Sequence, residues 1–467
     1  MQPASHENNR IIFRFMAAMV LVYALLSLFS GLPAGANLTA FVIGLILLFL
    51  GIAALMGLAW YTVIQPLPRN LAPSRKLPLT HGLRQGVALF LTLMSAVGIG
   101  GGLWDVTWHV RSGLPFGEDF FWAPHQFIYV ALTAPILVAA YMWSRMLQHS
   151  SGSLRQRFKA DIPVTLIFIG GVAMLFTLPA DPLWHVIYGE DLTGLSVPHI
   201  VFSISSTFTA IGTMSIFLSY TPLRQTWTSI RQTNVMEVLI LISLAFTFIS
   251  LLMPTLGDWE VIALSTHALP RLPALVAARP DWAMPFLAAF VSIYPAAMAL
   301  QITRRIGAAT LVWVIASVVR SALFLAFGYG DTGMETMFLT LPFFLSLDLV
   351  AWYRASRSLP VNALWSAGAA TLAGTLAVLP QIPISFTDPI LSAGNLPGMV
   401  IAIFVGALAA VHMGNILGGV VLRTVRFELP VDLPVIAKPV LRYLSLLTVV
   451  IVVVAVFFIL TSSMPSA

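Results

Sequence analysis

Apolar residues in this chain run in long unbroken stretches. They show neither the strict alternation of a strand nor the single apolar stripe of a soluble helix. Residues 41–61, FVIGLILLFLGIAALMGLAWY, hold no charge at all. A bilayer takes about 20 such residues per helix. Backbone groups in hydrocarbon must be satisfied within their own segment, so a spanning helix is the default. A membrane barrel would alternate apolar and polar positions instead. The pattern predicts an all-α polytopic membrane helix bundle of about thirteen spans. They fall at 11–32, 39–64, 85–104, 123–147, 162–183, 197–219, 234–255, 282–301, 306–328, 335–353, 361–380, 395–422 and 440–462. The first run, from Ile11 to Leu32, lacks a clear small-residue cleavage site. It is expected to remain as a span rather than be removed as a signal peptide.

The polar positions between spans sort by charge. With the N-terminus placed inside, the inner segments carry Arg10 and Arg14; Arg69, Arg75, Lys76 and Arg84; Arg145, Arg155, Arg157 and Lys159; Arg224 and Arg231. They continue with Arg304 and Arg305; Arg354 and Arg357; and Arg423, Arg426, Lys438 and Arg442. The outer segments carry only Arg111, Arg271 and Arg279. Basic loops stay cytoplasmic, so the N-terminus is expected inside and, with an odd number of spans, the C-terminus outside. A bacterial inner membrane is the expected location. The acids run the other way. Asp105, Glu118, Asp119, Asp181, Glu190, Asp191, Asp258, Glu260, Asp281, Asp331, Glu335 and Asp388 all fall on the outer side.

Composition narrows the function classes. Hydrophobic residues make up 58% of the 467 and charged residues 9%, against roughly 25% charged in a soluble domain. The net charge of +6 is spread over short loops, which excludes a nucleic-acid face. There is no cysteine, so any metal must take His, Asp, Glu, Asn or backbone oxygen ligands.

Two outer hairpins repeat one pattern. The first reads Asp105-Val106-Thr107-Trp108-His109, then Asp119, then Pro124-His125. The second reads Asp181-Pro182-Leu183-Trp184-His185, then Asp191, then Pro198-His199. On a helix, residues i and i+4 share a face, so each Asp and the His after it point at one place. The second histidine opens the next span and returns at similar depth. Each hairpin thus offers one carboxylate and two imidazoles, Asp105, His109 and His125 or Asp181, His185 and His199, a set suited to copper, zinc or iron. Asp119, Asp191, Trp108 and Trp184 are candidates for a supporting shell around the ligands. The bland alternative is a duplication kept for helix packing, with the tryptophans as interfacial anchors.

The hairpin DVTWHVRSGLPFGEDFFWAPHQFIY resembles the C subunit of the copper membrane monooxygenases, the particulate methane and ammonia monooxygenases. That family carries a D-x-x-W-H segment, an acid-Phe pair, a later His and an aromatic-rich span. Its second hairpin has Asn-x3-His where this chain has Asp181 and His185. The resemblance covers about residues 85–220 and implies copper at these positions, near the periplasmic face. It further implies O₂-dependent hydroxylation of a small apolar substrate, a quinol or other electron donor, and partner subunits. Residues 1–233 then form a metal-site domain, and 234–467 an additional helical domain with no assigned role.

Other features compete. A chain of about thirteen spans is transporter-sized. Pro285, Pro295, Pro342 and Pro380 would suit moving helices, so a metal-cation transporter is the alternative reading. A non-catalytic scaffolding subunit is a third. Glu237, Arg320 and Asp348 fall inside expected spans, where an Arg–acid pair would lower their cost. His412 is expected in the core. Asp258, Glu260 and His267 sit on a long outer loop within reach of the metal face. Gly98, Gly100, Gly101 and Gly102 are expected to let helices pack closely.

Overall fold

A computed structural model describes residues 79–112, 122–149, 152–188, 197–253, 283–327, 334–359, 362–378 and 396–425, with separate positions between 43 and 67. The expected spans from 85–104 through 395–422 each coincide with a helix. In chain order these are α1 (His81–Ser112), α2 (Ala123–His149), α4 (Ile162–Tyr188), α5 (Val197–Leu218), α6 (Val235–Leu252) and α7 (Ala283–Thr303). They continue as α8 (Ala308–Ala326), α9 (Met334–Ser356), α10 (Ala363–Val378) and α11 (Leu396–Thr424). One short helix, α3 (Leu154–Ala160), has no counterpart among the expected spans. Among the described residues, eight helices are long and apolar enough to cross a membrane, or nine if α3 and the start of α4 count as one bent span. The expected spans 11–32 and 440–462 lie outside the described residues. The span 39–64 is described in part and ends in a π-helical turn, Trp60–Ile64.

The described residues form two compact units. The first holds α1 to α5. Its helices approach closely at glycines. A side chain at Gly170 would strike the Ser205 carbonyl oxygen of α5 at 2.8 Å, and one at Gly212 would lie 2.6 Å from the Pro163 carbonyl oxygen of α4. One end of this unit is held by a buried ion pair, Arg84 Nε to Asp161 Oδ2 at 3.0 Å. Asp161 also breaks the chain between α3 and α4, which meet at 112°.

The second unit holds α6 to α11. α7 is its most enclosed span, with 83% of its apolar window buried. α11 packs on it through Gly406 and Gly414, where a side chain would meet the Phe286 and Tyr294 carbonyl oxygens at 2.5 and 2.6 Å. Thr228–Ser229 (β1) and Arg305–Ile306 (β2) form a two-residue parallel bridge. This bridge seats Arg305, which is wholly buried. Its guanidinium donates to Glu237 Oε2 at 2.8 and 3.2 Å, to Thr228 Oγ1 at 2.9 Å and to the Ser229 carbonyl at 3.1 Å. It also donates to the Gln232 carbonyl. Glu237 accepts from Arg224 at 3.0 Å as well, and closes a capping box with Asn234 at the start of α6. Arg304 just before it holds a left-handed φ of 52°. That conformation costs a non-glycine residue roughly 1–2 kcal/mol, and the bonds of Arg305 offset it.

The intramembrane acids therefore pair differently from the sequence expectation. Glu237 is neutralised by Arg224 and Arg305, two residues that read as topology-setting loop charges. Asp348 instead accepts from the backbone of Gly307 at 2.8 Å and of Thr310 at 2.7 Å, and from Thr310 Oγ1 at 2.6 Å. It satisfies the orphan amides at the start of α8, which lipid cannot do. Arg320 is buried on α8 with its guanidinium 5.0 Å from the Phe324 ring centre. His412 is exposed, which corrects the expectation of a core residue. It falls on the outward stripe of α11 with Ile401 and Val405.

Candidate functional site

α1 does not stop at Asp105 but continues to Ser112, so the whole D-x-x-W-H segment is helical. The backbone of His109 therefore sits one turn beyond Asp105, about 6 Å along the axis. α2 begins at Ala123, which makes Pro124 its second residue and His125 its third. Proline is well placed in a first turn, where its missing N–H has no intrahelical partner. The hairpin brings Asp105 Oδ1 to 3.0 Å from His125 Nε2, with side chains only 13% and 16% exposed.

Close helix packing makes this approach possible. A side chain at Gly101 would meet Phe127 Cβ at 2.8 Å, the Pro124 carbonyl oxygen at 2.9 Å and the Ile128 nitrogen at 3.0 Å. One turn earlier, a side chain at Gly98 would meet Ala131 Cβ at 2.9 Å. Only at glycine can α2 lie directly on α1 here, one turn from Asp105. This bears out the packing role expected for Gly98 and Gly101. Aromatic rings wall the site. Trp122 meets the His125 ring edge-on at 6.1 Å, and the Tyr129 ring lies tilted at 6.1 Å from it. Trp104 backs this wall at 6.2 Å from Trp122 and 6.0 Å from Phe127. The motif pointed at Asp105 and His125. It gave no signal for Trp122 and Tyr129, which become neighbours of His125 only through its helix register.

The donor geometry suits an ion as well as a proton. Two ligands about 2.0–2.1 Å from one tetrahedral metal lie roughly 3.3 Å from each other. The 3.0 Å edge between Oδ1 and Nε2 is close to that spacing, so an ion needs little rearrangement of these two groups. Without metal, the same approach is an ion pair or a shared proton.

The second hairpin repeats the backbone register. Asp105 precedes the end of α1 by seven residues, and Asp181 precedes the end of α4, at Tyr188, by seven. Pro198 and His199 are the second and third residues of α5, as Pro124 and His125 are of α2. Trp184 is buried on α4, and His199 is half-buried.

The structure brings together two of the six predicted ligands, Asp105 and His125. Among the described residues, no three His, Asp or Glu side chains converge. The backbones of His109, Asp181, His185 and Trp108 are helical, but their side chains lie outside the described residues. So do Asp119, Asp191, Asp258, Glu260 and His267. No family model, curated protein or solved structure matches the chain.

Proposed function

We propose that the chain is a membrane metalloprotein with two Asp/His/His sites, Asp105, His109 and His125 in one hairpin and Asp181, His185 and His199 in the other. The observation that supports it is the 3.0 Å approach of Asp105 and His125. Both residues belong to the hairpin motif, stand twenty positions apart and come from different helices. Ionisable groups at membrane depth are costly and are kept for function. Copper is the metal the family resemblance implies, and zinc and iron also suit the donors. With the basic segments inside, both sites face the periplasmic leaflet of a bacterial inner membrane.

Bound copper would supply O₂ activation. The chain's own residues hold the ion, and Trp122 and Tyr129 beside His125, with Trp104 against Trp122 and Phe127 against Trp104, offer apolar surface suited to a small apolar substrate entering from lipid. Electrons come from a quinol or another donor, and further subunits are the expected partners. The test is copper-loaded protein in vesicles given quinol, O₂ and a short alkane. Alcohol formation with O₂ uptake is expected from wild type and not from His125→Ala. Copper crossing the vesicle membrane with no O₂ uptake would overturn the oxygenase reading in favour of a transporter.

A further inference from the structure

We infer that the cap closing one end of α6, α7 and α8 binds the headgroup of an anionic phospholipid, independently of the metal sites. The first observation is position. α6 starts at Val235, α7 ends at Thr303 and α8 starts at Ala308. Segment 222–234 leads into α6, the link 304–307 joins α7 to α8, and the β1–β2 bridge ties the two together. All three helices are long and apolar enough to span, so the cap sits where hydrocarbon gives way to headgroups. Val235, the first residue of α6, is 72% exposed at that boundary.

The second observation is charge. Arg224, Arg231, Arg304 and Arg305 all belong to this cap. In the described segments 222–253 and 283–327, Glu237 is the single acid. It is shared by Arg224 at 3.0 Å and Arg305 at 2.8 Å. Asp348 of α9 turns its two oxygens to the Gly307 and Thr310 amides and the Thr310 hydroxyl. Four guanidiniums therefore meet two carboxylates among the described residues, and neither Arg231 nor Arg304 reaches one. Arg231 is exposed, and it is its backbone amide that donates to Ser229 Oγ. The Arg304 guanidinium stands 5.4 Å from the centre of the Trp227 ring. An aromatic face holds a cation in place without neutralising it.

The third observation is the backbone of Arg304. It follows the last residue of α7 with a φ of 52°, a left-handed helix-ending position that glycine fills without strain. An arginine held there against strain points to a use for its side chain. Arg305, next in the chain, is wholly buried, while Arg304 stays half-buried on Trp227. Fixed cations beside a tryptophan at the bilayer boundary suit a phosphate that carries acyl chains. The charge excess selects a phosphodiester without a balancing cation, such as phosphatidylglycerol, over the zwitterionic phosphatidylcholine.

The experiment is native mass spectrometry of the full-length protein titrated with phosphatidylglycerol or phosphatidylcholine. Wild type is expected to prefer phosphatidylglycerol. Arg231→Gln with Arg304→Gln is expected to weaken the first phosphatidylglycerol bound by about 30-fold, from about fivefold per cation. Arg231→Lys with Arg304→Lys is expected to restore it. Arg304→Gly removes one charge and relieves the left-handed strain, so it is a fold-safe second variant, expected to weaken binding about fivefold. Arg157→Gln on α3, in the other unit, is expected to leave the first lipid unaffected. Equal binding of both lipids by wild type would overturn the proposal. So would undiminished binding in Arg304→Gly, an equal loss in Arg157→Gln, or displacement of the lipid by millimolar inorganic phosphate.

Discussion

Replacing Gly101 by alanine tests how the Asp105–His125 approach is made. A new Cβ there would lie 2.8 Å from Phe127 Cβ, where carbon atoms prefer about 3.5–4.0 Å. The shortfall is roughly 0.7 Å, and two of the three obstructing atoms belong to the α2 backbone. Side-chain rotation cannot relieve it, so α1 and α2 must separate. Overpacking of this kind costs about 1–3 kcal/mol, while alanine regains about 1 kcal/mol of helix propensity over glycine. Gly86→Ala on the same helix isolates the steric part, because a side chain there meets nothing within 4 Å. The propensity gain cancels between the two variants, so Gly101→Ala should be less stable than Gly86→Ala by about 1–3 kcal/mol in SDS-titrated unfolding. Gly98→Ala with Gly101→Ala should cost less than the sum of the single changes, since one helix displacement relieves both contacts. Copper affinity should fall in Gly101→Ala and not in Gly86→Ala. If Gly101→Ala is as stable as Gly86→Ala and binds copper as well, glycine packing does not position the site.

The second unit yields two more predictions. Glu237→Gln leaves the buried guanidinium of Arg305 without its charge partner, so a loss of about 3–5 kcal/mol is expected. Pairing Glu237→Leu with Arg305→Met should recover much of that in the same unfolding assay, and a double variant worse than Glu237→Gln would refute the charge argument. Asp348→Ala removes the cap at the start of α8, with an expected cost of about 1–2 kcal/mol. Hydrogen exchange should then rise first at the amides of Gly307 and Thr310, and unchanged exchange there would count against the cap.

The helices were legible because a long apolar run carries its own boundary, and the bilayer leaves it one conformation. What the sequence hid was pairing. Arg224 and Arg305 read as loop charges, because nothing local says that a two-residue β bridge folds Arg305 inward onto Glu237. Asp348 read as an intramembrane ion-pair candidate. Its partners are two backbone amides and the Thr310 hydroxyl, 38 and 41 residues away, which no local pattern announces. α3 was missed because seven residues, four of them polar, are too short a segment to show an apolar period, and its position is set by the break at Asp161. In the candidate site, the motif located Asp105 and His125, and helical spacing explained how Asp and His at i and i+4 share a face. The ring contacts from Trp122 and Tyr129 depend on the rotation of α2 against α1. That rotation is fixed by Gly98 and Gly101 rather than by the motif.

The most direct test of the metal reading is copper per chain after loading and desalting of purified wild type, His125→Ala, His199→Ala and the double variant. Two Asp/His/His sites predict about two coppers in wild type, about one in each single variant and none in the double. A wild type that retains no copper, or a His125→Ala that retains as much as wild type, would contradict it.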